Sequence, residues 1–131
     1  FLKEIGVPVE SMTITDGSGY ARTNLVSPAD ILTTRKFIRQ HRYWTTFFES
    51  LPIAGVDGTL RHRMKDTPAE NNVRAKTGYI DNVRTISGFV KTQDNEELVF
   101  SILCNNFTAD KLEIEKIQDL ILVKLASFSR K

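Results

Sequence analysis

Val73-Arg-Ala-Lys-Thr-Gly-Tyr-Ile80, Val83-Arg-Thr-Ile-Ser-Gly-Phe-Val-Lys91 and Glu97-Leu-Val-Phe-Ser-Ile-Leu-Cys-Asn105 are three short runs rich in β-branched and aromatic residues. Runs of this kind, bounded by polar turn residues, read as strands. Only Asp81-Asn82 separates the first two, and Gln93-Asp-Asn-Glu96 marks the second turn, so neighbouring strands are expected to pair antiparallel. Downstream, Thr108 is placed to cap a last helix over 109–128. Ile114, Ile117, Ile121, Leu125 and Phe128 lie near helical spacing along it. An antiparallel sheet with one long helix across it is an α+β arrangement.

Upstream the pattern is less regular. Phe1-Leu-Lys-Glu-Ile-Gly6 reads as the last turn of a helix with Gly6 at its C-terminal cap. A chain that opens inside a helix end is expected to be a piece of something longer. Ser11 to Thr15 alternates with period two, as a short extended segment does. Asp16-Gly-Ser-Gly19 is a turn cluster, in which glycines permit positive φ and Asp caps nearby backbone donors. Ser27-Pro-Ala-Asp30 starts a helix, with Ser as N-cap and Pro in the first turn. Ile31, Leu32, Phe37 and Ile38 give that helix an apolar stripe. A second short helix is expected over 42–50, ended by Pro52, and residues 61–72 are expected to run over the surface.

Composition narrows the class. The 131 residues are 40% hydrophobic and 26% charged, with 7 Gly and 4 Pro, which excludes a disordered or low-complexity chain. This length suits one domain or part of one. A net charge of +2 gives no basis for a nucleic-acid partner. The single cysteine, Cys104, excludes an internal disulfide and a thiolate zinc site. It sits in an apolar run and reads as a small buried side chain. His41 and His62 have no ligand-type neighbour at metal spacing, so no metal or other cofactor is expected. No apolar run approaches the ~20 residues of a membrane-spanning helix.

Lys76-Thr77-Gly78 is the stretch with chemical potential. A cation, a hydroxyl and a position without a side chain follow one another at the end of a strand. Together they can present charge, a hydrogen-bond donor and open backbone to an extended anionic ligand. This triad belongs to penicillin-recognising acyl-transfer enzymes, alongside Ser-x-x-Lys and Ser-x-Asn elements. Neither element occurs in the 131 residues, and no Gly-x-Ser-x-Gly elbow surrounds Ser18, so Ser18 is not the nucleophile.

Four blocks occur in order: Asp16-Gly-Ser-Gly-Tyr-Ala-Arg-Thr-Asn-Leu-Val-Ser-Pro28, Leu51-Pro-Ile-Ala-Gly-Val-Asp-Gly-Thr-Leu60, Val73-Arg-Ala-Lys-Thr-Gly78 and Ile86-Ser-Gly-Phe-Val90. From about Phe1 to Asn106 the chain resembles the C-terminal part of the D-alanyl-D-alanine carboxypeptidase/endopeptidases, the low-molecular-mass class C penicillin-binding proteins. The resemblance implies that residues 1–131 are the C-terminal portion of a β-lactamase/transpeptidase-like domain. It implies a serine-type peptidase that cleaves peptidoglycan stem peptides ending in D-Ala-D-Ala through an acyl-enzyme, with β-lactams as inhibitors. On this reading Lys76 supplies positive potential and assists proton transfer, and the Thr77 hydroxyl binds the terminal carboxylate. Gly78 keeps the strand open, and the Tyr79 backbone N–H contributes to the oxyanion hole. Asp16 and Ser18 belong with the substrate-binding residues. The nucleophilic serine lies in an upstream part of the same protein, so this chain alone is expected to be inactive. The family also implies a cell-envelope, periplasmic or extracellular setting. Tyr79 stands where the family usually has a hydroxyl residue, and Tyr20-Ala21 where it has Leu-Ser. The alternative is a non-catalytic peptide- or glycan-binding module with the same groove.

Overall fold

A computed structural model describes residues 1–131. Three strands, β1 (Arg74–Ile80), β2 (Val83–Lys91) and β3 (Glu97–Asn105), form one antiparallel sheet in the order β1-β2-β3. The tight loops set this register. Ile80 pairs with Val83 across the Asp81-Asn82 turn, and Asn82 takes φ 57°, a conformation Asn tolerates. Lys91 pairs with Glu97 across the second hairpin, where Asn95 takes φ 62°. Three helices complete the fold: α1 (Pro28–Arg39), α2 (Trp44–Glu49) and α3 (Lys111–Ala126). The α+β class expected from the strand runs is what forms.

Residues paired across the ladders share a face, so the register sorts the sheet into two surfaces. Ala75, Ile86, Phe100 and Val90 point to one side, where they pack with Leu60, Val73, Leu122 and Ala126. The α3 helix lies on this side. The opposite side carries Phe89, which is 1% exposed and ringed by Trp44, Phe47 and Phe48 at centroid distances of 4.8–6.5 Å. Helices α1 and α2 cover that side, and the tandem aromatics of α2 are there to enclose one phenylalanine.

The helix starts follow from local chemistry. At α1 the Ser27 side chain accepts from Asp30 N (3.2 Å) while the Asp30 carboxylate accepts from Ser27 N (2.7 Å), a reciprocal capping box. At the N-terminus, Val7 N donates to Leu2 O (3.0 Å) and Gly6 N to Lys3 O (3.1 Å), with Gly6 at φ 86°. This bond pair is a Schellman closure, for which Gly6 supplies the left-handed residue.

Several expectations need correction. The cap of α3 is Asp110, whose side chain accepts from Leu112 N at 2.7 Å, two residues beyond Thr108. The face of α3 turned to the sheet is Gln118, Leu122 and Ala126, whereas Ile117 and Ile121 are 51% and 42% exposed. A polar residue takes the central position because it is fully bonded there. Gln118 Nε2 donates to Arg84 O (3.2 Å), and Arg63 donates to Gln118 Oε1 (3.3 Å). In α1 the residues expected as an apolar stripe are only half-buried, and Asp30 and Arg35 are the buried ones. Around Ser11 to Thr15 only Thr13 pairs, with Leu25, after a 3-10 turn over Val9–Ser11. Residues 61–72 do not simply cross the surface: Met64 and Ala69 enter the core. Cys104 is half-buried, within 3.9 Å of Gln118 Nε2.

Arg35 is unusual. It is 8% exposed, and neither Nε nor Nη1 has a hydrogen-bond partner. The Phe47 and Phe89 rings lie 5.8 Å from its guanidinium carbon. Burial lowers its pKa from the ordinary arginine value.

Candidate functional site

The site grows from the outer edge of β1. Ala75 N donates to Pro52 O (3.0 Å) and Ala54 N to Val73 O (2.9 Å), so the backbone groups of these odd-numbered residues point away from β2. In an antiparallel ladder that direction repeats every second residue. Thr77 and Tyr79 therefore also aim their N–H and C=O groups off the edge. Segment 52–54 covers only the start of this edge, where Ile53 bridges to Arg74. From Thr77 onward the edge is bare.

The side chains alternate about this edge. Lys76 is exposed on the face it shares with Ser87 and Ser101, whose hydroxyls are 3.0 Å apart. Its Nζ reaches round the edge and donates to Thr77 O at 2.6 Å. The ammonium is thus held against an outward backbone carbonyl. On the other face, the Thr77 hydroxyl donates to Thr59 Oγ1 at 2.9 Å. Tyr79 is 61% exposed, and the Arg84 guanidinium carbon lies 3.5 Å from its ring centroid. Arg84 is itself committed: it donates to Ile80 O (3.2 Å), Val83 O (3.0 Å) and Glu115 (3.3 Å). At Gly78 a Cβ would collide with Thr85 Oγ1 from the neighbouring strand, so a side chain here would force the Thr85 hydroxyl to turn away.

Sequence reasoning missed Thr59. It sits exposed in a 3-10 turn over Gly58–Leu60, between Gly58 at φ 52° and fully buried Leu60. The glycine turns the chain and the leucine anchors it, so the intervening hydroxyl has a fixed place. The only sequence signal was its position inside the Leu51–Leu60 block. Thr59 and Thr77 border a polar notch of about 120 Å³ whose inner wall is Arg63, Arg84, Glu115 and Gln118. Arg63 is paired with Asp119 at 2.6 Å, so the charges in the wall are matched.

Asp16 and Ser18 are brought into contact with each other but not with residues 76–79. Ser18 Oγ donates to Asp16 Oδ2 (2.6 Å), and Asn24 Nδ2 donates to Asp16 Oδ1 (2.6 Å). The Ser18 and Asn24 hydrogen bonds hold the Asp16 carboxyl below its ordinary pKa. Arg22 links this loop to the β1–β2 turn through Asp81 at 3.7 Å. His41 stacks between Phe37 and Tyr43, at 5.3 and 5.2 Å. No three His, Cys, Asp or Glu side chains come together as metal ligands. A hollow of about 420 Å³ lies against α1 rather than β1 and is lined mainly by apolar residues such as Phe1, Ile31, Phe37 and Phe47. No helix is long and apolar enough to cross a membrane.

The chain is similar in sequence and fold to several known proteins. The profile of the D-Ala-D-Ala carboxypeptidase 3 (S13) family matches residues 1–127. A D-alanyl-D-alanine carboxypeptidase of Actinomadura sp. is 36% identical, over 98% of this chain and 24% of its own length. The penicillin-sensitive carboxypeptidase A of Dictyostelium discoideum is 31% identical, over 95% of this chain and 25% of its own. The crystal structure of penicillin-binding protein 4 from Haemophilus influenzae superposes with a TM-score of 0.86 at 29% identity. That match covers 97% of this chain and 30% of the other. The same protein has also been solved complexed with a novel β-lactam. The chain spans about a quarter of the length of the curated relatives it matches.

Proposed function

Because the chain belongs to the D-Ala-D-Ala carboxypeptidase 3 (S13) family, we propose that residues 1–131 are the C-terminal portion of a serine-type D-Ala-D-Ala carboxypeptidase/endopeptidase. In this reading the chain supplies one wall of the active site, and an upstream part of the same protein brings the nucleophilic serine. The observation that carries the proposal is the bare edge of β1, with Lys76, Thr77 and outward backbone groups side by side.

A peptidoglycan stem peptide adds to this edge as an extra strand, pairing with the outward N–H groups of Thr77 and Tyr79 and with the Tyr79 C=O. Its terminal D-Ala carboxylate meets the Thr77 hydroxyl and the field of Lys76. The scissile carbonyl then lies where the Tyr79 N–H can donate to the developing oxyanion, together with the N–H of the serine itself. Loss of one such donor typically costs ~10²–10³-fold in rate. This role uses backbone only, so it tolerates tyrosine at position 79. Lys76 holds a proton close to the reacting atoms while the serine ester forms and while water later breaks it. Gly78 lets the strand lie flat against Thr85. The loop of Asp16 and Ser18, tied beside the far end of β1 through Arg22, borders the same substrate. β-Lactams occupy the groove as substrate mimics, and such a protein works in the cell envelope, in the periplasm or outside the cell.

Labelled penicillin separates this reading from its rivals. Residues 1–131 alone are expected to acquire no covalent label, and the full-length protein is expected to be labelled on a serine upstream of Phe1. Label on the isolated chain would overturn the half-site reading. An unlabelled full-length protein would instead favour a peptide-binding module.

A further inference from the structure

We infer that Thr59 is a positioning residue for substrate carboxylate, acting through the hydroxyl of Thr77; this rests on the reading of Thr77 given above. The two hydroxyl oxygens are 2.9 Å apart, and Thr77 donates to Thr59 when no ligand is present. A hydroxyl carries one hydrogen, which rotates to suit its surroundings. When a carboxylate arrives on the outer side, the Thr77 hydrogen turns toward it. The Thr77 oxygen is then left as an acceptor, and the Thr59 hydrogen turns to fill it. The result is a chain of two hydrogen bonds, Thr59 to Thr77 to carboxylate, in which each bond polarises the next.

Thr59 is suited to this task because its own position is fixed. Buried Leu60 follows it, and the turn preceding it is held by Ile53 N donating to Asp57 Oδ1 at 2.7 Å. Thr59 therefore selects the Thr77 rotamer that faces the strand edge. It need not touch the substrate. A peptide or β-lactam without a free carboxylate gains nothing from the pair.

The test compares acylation of the full-length protein by benzylpenicillin and by its methyl ester, which lacks the charge. A charge-assisted hydrogen bond weakened by about 1.4 kcal/mol corresponds to a tenfold change. Thr59→Val is expected to slow acylation by benzylpenicillin roughly tenfold and leave the ester rate unchanged, with Thr59→Ser restoring most of the loss. Equal slowing of both compounds, or no slowing of either, would overturn the inference. Thr77→Val, measured alongside, keeps the two ideas apart. If it spares benzylpenicillin, the role of Thr77 itself fails. If it slows benzylpenicillin while Thr59→Val does not, only the role of Thr59 fails.

Discussion

Lys76→Ala in the full-length protein is expected to slow acylation by penicillin about 10²–10⁴-fold, the range for losing a positioned proton-transfer group, with no loss of fold. The separation of these effects follows from where the side chain sits. Lys76 is exposed, and its one hydrogen bond goes to the adjacent Thr77 carbonyl, so alanine removes no packing and opens no cavity. Surface changes of this kind usually alter stability by less than ~0.5 kcal/mol. Acylation kinetics and thermal unfolding of the same preparation make the comparison. A variant that acylates at the parent rate would remove Lys76 from the mechanism.

Gly88→Ala acts on the same strand through packing. Gly88 faces Ala75 across the β1–β2 ladder. A Cβ there would lie 2.6 Å from Ala75 Cβ and 2.7 Å from Ala75 Cα, and would collide with the Arg74 carbonyl. These are backbone atoms or atoms bonded directly to backbone, so no rotamer change can relieve them. The strand that carries Lys76-Thr77-Gly78 has to move away. Overpacking of this kind costs on the order of 1–3 kcal/mol, sometimes more. Urea titration is expected to give a clearly lower midpoint for Gly88→Ala. Gly17→Ala should leave the midpoint unchanged, because no atom lies within 4 Å of a Cβ there. Equal midpoints for the two variants would mean that the sheet yields easily at Gly88.

These two positions also show what local sequence could reveal. The strands were legible because β-branched runs met two-residue and four-residue polar turns, and those turns alone dictate the pairing. The first turn of α1 was legible because Ser27, Pro28 and Asp30 satisfy backbone donors within one turn. The rotation of α3 was not legible. Its inward face is chosen by Gln118, which bonds Arg84 O and Arg63, and those partners are 34 and 55 residues away. The burial of Met64 and Ala69 was equally hidden. Met64, Asp66 and Asn71 take φ of 54–60° there, giving a coil without period that still folds inward. The candidate site divides in the same way. Lys76, Thr77, Gly78 and Tyr79 stand together in sequence, whereas Thr59 meets Thr77 across 18 residues and has no motif of its own.

Arg35 has a consequence for how rugged the chain is. A dehydrated cation without a counter-charge weakens the folded form, and replacing buried charge by a well-packed apolar group of similar volume is often neutral or favourable by ~1–4 kcal/mol. Arg35→Met keeps an unbranched stem beside Phe47 and Phe89 and is expected to raise the melting temperature of residues 1–131 in calorimetry. A fall would mean that the aromatic rings compensate the guanidinium fully. A rise would identify a position where the native side chain is a handicap to the isolated polypeptide, retained for a purpose other than its endurance.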